Sequence, residues 1–162
     1  MARQPSSRVY ATWNPSDKFA SIMLSNGNLT AATTPTPCQV RSTISKSSGK
    51  WYWEILEETA NYGGYGAASG SASLSTYPGQ DANSYGLFDN VSGNIIGVAL
   101  DMDGLILRLY LNNVLQATYT SIPAPMYASV GSNTQATTLT ANFGATAFTY
   151  SPPAGHNAGL YI

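Results

Sequence analysis

The run IIGVALDMDGLILRLYLNNVLQ, Ile95 to Gln116, decides the fold. It reads as three consecutive antiparallel strands, Ile95 to Leu100, Leu105 to Leu111 and Val114 to Thr118. Two short polar pairs, Asp103-Gly104 and Asn112-Asn113, separate the apolar runs. Gly, Asn and Asp tolerate positive φ, so both pairs suit two-residue type I′ hairpin loops. The resulting meander is expected in the middle of a sheet, and it carries no side-chain set suited to chemistry.

Working outward, the same short-strand rhythm continues. Upstream lies KWYWEILE, Lys50 to Glu57, whose adjacent aromatics favour a strand. Alternation puts Trp51, Trp53 and Ile55 on one face and Tyr52, Glu54 and Leu56 on the other. Further strands are expected over Ala20 to Leu24, Leu29 to Thr33, Cys38 to Ile44, Asn61 to Ser69 and Ser84 to Phe88. Downstream they run over Met126 to Gly131, Leu139 to Phe143 and Phe148 to Tyr150. Asn26-Gly27 marks a hairpin, Pro35 and Pro37 a loop, Ser132 to Thr137 a polar loop, and Ser71 to Gly79 an ordered surface loop with one helical turn. Gly63, Gly64 and Gly66 weaken their strand and point to bulges or close backbone approach. No segment sustains a helical period. The pattern predicts an all-β, antiparallel two-sheet β-sandwich without substantial helix, formed by a single domain over residues 9–162 behind a polar arm at 1–8. Trp13 is read as a core anchor.

Composition narrows the function. Only 9% of residues are charged and the net charge is −1, with no basic run. This argues against a phosphate-binding surface for nucleic acid. No stretch reaches the length of a membrane span, and no signal peptide is read at the N-terminus. The single cysteine, Cys38, rules out an internal disulfide and is read as a small buried residue. A low-charge β protein rich in Thr, Ser and Asn is a composition found among virion components.

Candidates for chemistry are few. Glu54 and Glu58 share a strand face but lie ~13 Å apart at strand rise. Glycosidase carboxylates stand about 5–9.5 Å apart. Glu54 is read as a strand-face residue, and Glu57 with Glu58 as a solvated strand end. Asp101 and Asp103 precede apolar residues where a calcium loop needs ligands, so they are read as hairpin residues. His156 is the one histidine, which leaves no metal set, and Gly63 to Gly66 lacks the Lys and helix of a phosphate loop. No catalytic residue, metal or cofactor is expected. What stands out is an aromatic-rich segment: Tyr62, Tyr65, Tyr77, Tyr85 and Phe88, with Asn90 beside them, a composition seen in paratopes.

Ser48 to Ile55, Gly97 to Asp101 with Leu109 to Asn113, and Thr140 to Gly144 together resemble the SPRY domain, a sandwich of concanavalin A-like jelly-roll architecture. Phe148 to Tyr161 and Thr12 to Asp17 further resemble SPRY-like modules of bacteriophage structural proteins. The resemblance implies a non-enzymatic binding module. Its leading form is a surface-exposed virion protein, on a tail fibre, tail tip or capsid, that recognises a host-surface glycan or protein. The alternatives are a structural cement contacting other virion proteins and an intracellular protein-interaction SPRY module. Neither nucleic acid nor membrane insertion is expected, a homo-oligomer is allowed, and synthesis is in the host cytoplasm. Relative to that family the connection Gly86 to Asn94 is short, which is expected to leave the strand edge before the meander open to a partner.

Overall fold

The computed structural model describes residues 7–59 and 61–162. Thirteen strands follow in chain order: β1 (Trp13–Lys18), β2 (Met23–Ser25), β3 (Thr30–Ala32), β4 (Cys38–Lys46), β5 (Lys50–Glu57), β6 (Gly63–Ser69) and β7 (Ser84–Asp89) lead into β8 (Ile95–Asp101), β9 (Ile106–Leu111), β10 (Val114–Thr120), β11 (Met126–Ser132), β12 (Thr138–Asn142) and β13 (Asn157–Ala158). They make two sheets, ordered β1-β4-β11-β6-β7 and β10-β9-β8-β5-β12-β3-β2, with β13 beside β5. All pairings are antiparallel except β13 with β5. No helix occurs among the described residues. The fold is the all-β two-sheet sandwich expected from the sequence.

Alternation explains what lies between the sheets. Trp53, Ile55, Ile96, Val98, Leu107 and Leu109 of the larger sheet face Val40, Tyr65, Met126, Ala128 and Val130 of the smaller, all fully buried. Burying each large apolar side chain contributes ~1.5–3 kcal/mol. Trp13 plugs one end, with its indole N–H donating to the Leu29 carbonyl at 2.9 Å and its ring edge-on to Phe143. Cys38 is buried with Sγ 3.4 Å from Ser132 Oγ. Val9 and Ile162 exchange two backbone hydrogen bonds of 3.0 Å, and Tyr10 pairs with Tyr161.

The meander departs from its sequence reading in two ways. It forms the flank of the larger sheet, with β5 and β8 central and β10 at the edge. Asn112 and Asn113 make the expected two-residue turn, both at positive φ (46° and 68°). The first hairpin is different, because Asp101 pairs with Ile106 and leaves a four-residue loop in which Leu105 takes the left-handed conformation. The cause is Met102, whose side chain is drawn into the core and whose N–H bonds the Gly49 carbonyl. Asp101 and Asp103 serve turns, accepting the N–H of Gly104 and of Gly49 respectively.

Phe148 to Tyr150 is not a strand. It is a strap over the outer face of β5, where the Glu54 carboxylate accepts the N–H groups of Thr149 and Tyr150, both at 2.8 Å, and Phe148 packs edge-on against Tyr52. The segment 71–79 forms turns without a helical turn. Of the proposed arm at 1–8, residues 1–6 lie outside the described residues, and the Arg8 guanidinium stacks 4.4 Å from the Tyr161 ring.

Candidate functional site

The smaller sheet carries its own cover. Gln39 and Arg41 point away from the core on β4, where they are buried beneath residues 69–76. Arg41 donates to the Ser69 and Ala72 carbonyls and makes a two-pronged ion pair with Asp17, both bonds at 2.7 Å. Gln39 donates to Ser73 O and Thr76 Oγ1. Asp81 closes the loop by accepting from Ser73 N, Asn83 N and Ser84 Oγ; burial opposes its ionisation, but these donors win and hold its pKa below the usual carboxylate range. Two charged side chains and an amide thus fix a loop made mostly of Ser, Tyr, Pro and Gly.

That loop presents Tyr77 edge-on to Phe88 of β7, ring centroids 4.7 Å apart. Opposite stands the β11–β12 loop, with Asn133, Thr134 and Gln135, and Tyr62 completes the wall just before β6. The four segments enclose an open cleft of about 420 Å³. Tyr62 is half exposed and held at positive φ, 51°. None of these lining residues is charged, so the cleft offers aromatic faces, two amides and three hydroxyls. Such a lining binds by stacking and neutral hydrogen bonds.

The aromatic residues singled out from the sequence divide here. Tyr62, Tyr77 and Phe88 come together at the cleft. Asn90 is exposed just past β7 but does not line it. Tyr85 faces the interior and packs on Tyr119 of β10 at 5.3 Å. Tyr65 is fully buried, so it is a core residue and not a surface contact. Its hydroxyl donates to Glu57, and burial followed by that carboxylate pushes its pKa far up. Glu57 is likewise not a solvated strand end. It has no exposed surface, accepts the Gly63 N–H at 3.2 Å, and burial raises its pKa despite these donors. Asn133 to Gln135 had no signal beyond a polar loop, because their place follows from β11 pairing with β6, a long-range contact.

The expected open edge on β7 is largely closed by the chain itself. Pro78 covers Gly86, whose Cβ would come 2.6 Å from the Pro78 carbonyl oxygen. Tyr119 of the other sheet donates its hydroxyl to Gly86 O at 2.9 Å, and Ser84 N–H reaches Asp81 O. Glu54 and Glu57 are each engaged by backbone donors on opposite sides of β5. Among the described residues no group of three or more His, Cys, Asp or Glu could hold a metal ion.

No family model matches the chain. The chain is 27% identical over 180 residues to Ran-binding protein 9 of Xenopus tropicalis, a match that covers 93% of this chain and 32% of that protein. It therefore spans about a third of the length of that relative. The fold is similar to the PSpry domain of TRIM65 (TM-score 0.66, 17% identity, 83% of this chain and 90% of that one). It is also similar to the SPRY domain of human HERC1 (TM-score 0.62, 14% identity, 80% and 96%). The sandwich is thus a SPRY-type fold, the class read from the sequence.

Proposed function

We propose that the protein is a non-enzymatic protein-interaction module that holds a partner in the cleft of Tyr62, Tyr77, Phe88, Asn133, Thr134 and Gln135. The observation that carries this reading is the cleft itself: uncharged, aromatic and braced from beneath by Arg41, Gln39 and Asp81. A rigid loop loses little entropy when a partner docks. The SPRY-type fold and the likeness to a protein named for binding Ran support a protein as the ligand class. Neither carries over the partner's identity.

The virion reading, with host-surface glycan recognition or contact with other virion proteins, rests only on the sequence resemblance and on the low charged fraction of the chain. The animal relatives fit the interaction-module alternative as well or better, so it leads here. Binding of the immobilised full chain to a protein array and to a glycan array separates the two. Protein ligands lost on Tyr77→Ala support the module; glycan ligands alone overturn it.

A further inference from the structure

Three of the four sheet edges are blunted against pairing. β1 carries Pro15 and an irregular register between Trp13 and Lys18. β2 is only three residues long, and β7 is closed by Tyr119 and Asp81. Exposed edges are usually protected by such devices, by charge, or by cover. β10 is different. It runs for seven residues without proline or a charged side chain, with β9 on one side and no strand on the other among the described residues.

Its free hydrogen-bonding groups follow from the register. Asn112 N–H bonds Ile95 O, so Tyr110, Arg108 and Ile106, at alternate positions of β9, also turn their backbone groups toward β8. Leu115, Thr118 and Thr120 of β10 lie opposite those residues and therefore turn their own N–H and C=O outward. A cavity of about 80 Å³ reaches β10 at Gln116 and is lined, besides the buried Tyr65, by Leu87, Phe88, Asp89, Ile96 and Leu111. Gln116 sits at the irregularity between Leu115 and Ala117, the kind of bulge that re-aims a side chain. Val114, directly across from Leu111, is 61% exposed.

We propose that β10 takes up an extended, uncharged segment of a partner protein as an added strand, with one aliphatic side chain entering this cavity. The inference rests on reading the domain as an interaction module, but the strand edge it uses is separate from the loop cleft, which the cavity adjoins at Phe88. Strand addition draws affinity from the backbone and specificity from pockets for alternate side chains, and β10 has both. The cavity is about half of the ~150 Å³ that admits benzene, which suits a branched aliphatic group and not a ring. Asp89 disfavours an acidic segment; its carboxylate already accepts from the Asn94 side-chain amide, and β10 itself carries no acidic side chain to pair a basic one. A second copy is a poorer fit. In a second copy the inward side chains of β10, Ala117 and Tyr119, already pack on that copy's own core and are not free to enter this cavity.

A displayed library of random linear peptides, selected on the immobilised full chain, tests this. Expected are enriched sequences without charge that alternate aliphatic and polar residues. On the wild-type protein these peptides slow amide exchange at Leu115, Thr118 and Thr120 by about tenfold or more, a readout that needs no variant. Thr118→Pro removes one outward N–H without touching the β9 ladder and weakens binding by about tenfold or more. No enrichment, a charged consensus, or absent protection along β10 overturns the proposal. So does a wild-type dimer that Thr118→Pro converts to monomer, which assigns the edge to a second copy. Protein binding that is lost on Tyr77→Ala would survive any of these failures, so the interaction-module reading stands or falls separately.

Discussion

Tyr65 and Glu57, eight residues apart on neighbouring segments, meet in the interior with the tyrosine hydroxyl donating to the carboxylate. The contact joins the end of β5 in one sheet to β6 in the other. It also takes from the surface two side chains whose types usually mark an exposed site.

Glu57 makes stability depend on pH in an unusual direction for a carboxylate. Burial raises its folded-state pKa, with Tyr65 and Gly63 opposing and the charge of Asp89 adding to the rise. The folded chain then binds the proton more tightly than the unfolded chain. The stability from this group is full below the ordinary glutamate value of about 4.3 and is lost as pH rises through the folded value. Glu57→Gln should remove that loss. Urea unfolding from pH 4 to 8 is expected to show the wild type falling relative to the variant, and a constant difference would refute the assignment.

Arg41 is the brace under the loop. Arg41→Ala leaves Asp17 without its partner and the Ser69 and Ala72 carbonyls without their donor. Breaking a buried pair from one side costs ~3–5 kcal/mol, and partial exposure of Asp17 puts the expected loss near the lower end. Thermal unfolding measures it, and proteolysis should cut first within residues 70–83.

Gly86→Ala would drive a methyl group against the Pro78 carbonyl. Either the loop lifts or β7 shifts, at a cost of ~1–3 kcal/mol as for other overpacked sites. The same movement separates Tyr77 from Phe88. Nuclear Overhauser contacts between the two rings should disappear, whereas their survival would show that the loop tolerates the methyl.

Tyr77→Ala removes the aromatic face that closes the cleft. Truncation of an interface anchor costs ~2 kcal/mol or more, so a partner bound there should weaken at least about 30-fold. Asn90→Ala lies off the cleft and should change little. Equal losses at both positions would mean that the cleft does not select its ligand.

Fold class was legible because it depends on local signals. Alternation in Lys50–Glu57, the Asn112-Asn113 turn and the proline pair at 35 and 37 each act over a few residues. The site was half legible. Tyr62, Tyr77 and Phe88 could be named from composition, yet Tyr65 has the same composition around it and points inward. The difference is one of strand parity: Gly64, Gly66, Gly86 and Phe88 share the outer face, while Tyr65, Tyr85 and Leu87 share the inner one. Parity needs the register, and the register needs β11 lying between β4 and β6. The first hairpin failed for a related reason, since nothing local announces that Met102 is wanted in the core.

The Val9–Ile162 pairing has a mechanical meaning. Val9 and Ile162 lie side by side outside the named strands, so a pull applied at these two residues loads this peripheral pair before any strand of the core. Such a pair yields one hydrogen bond at a time, like a zipper. The sheets behind it, and the braced loop beside Tyr77, would keep their shape while the tether gives way.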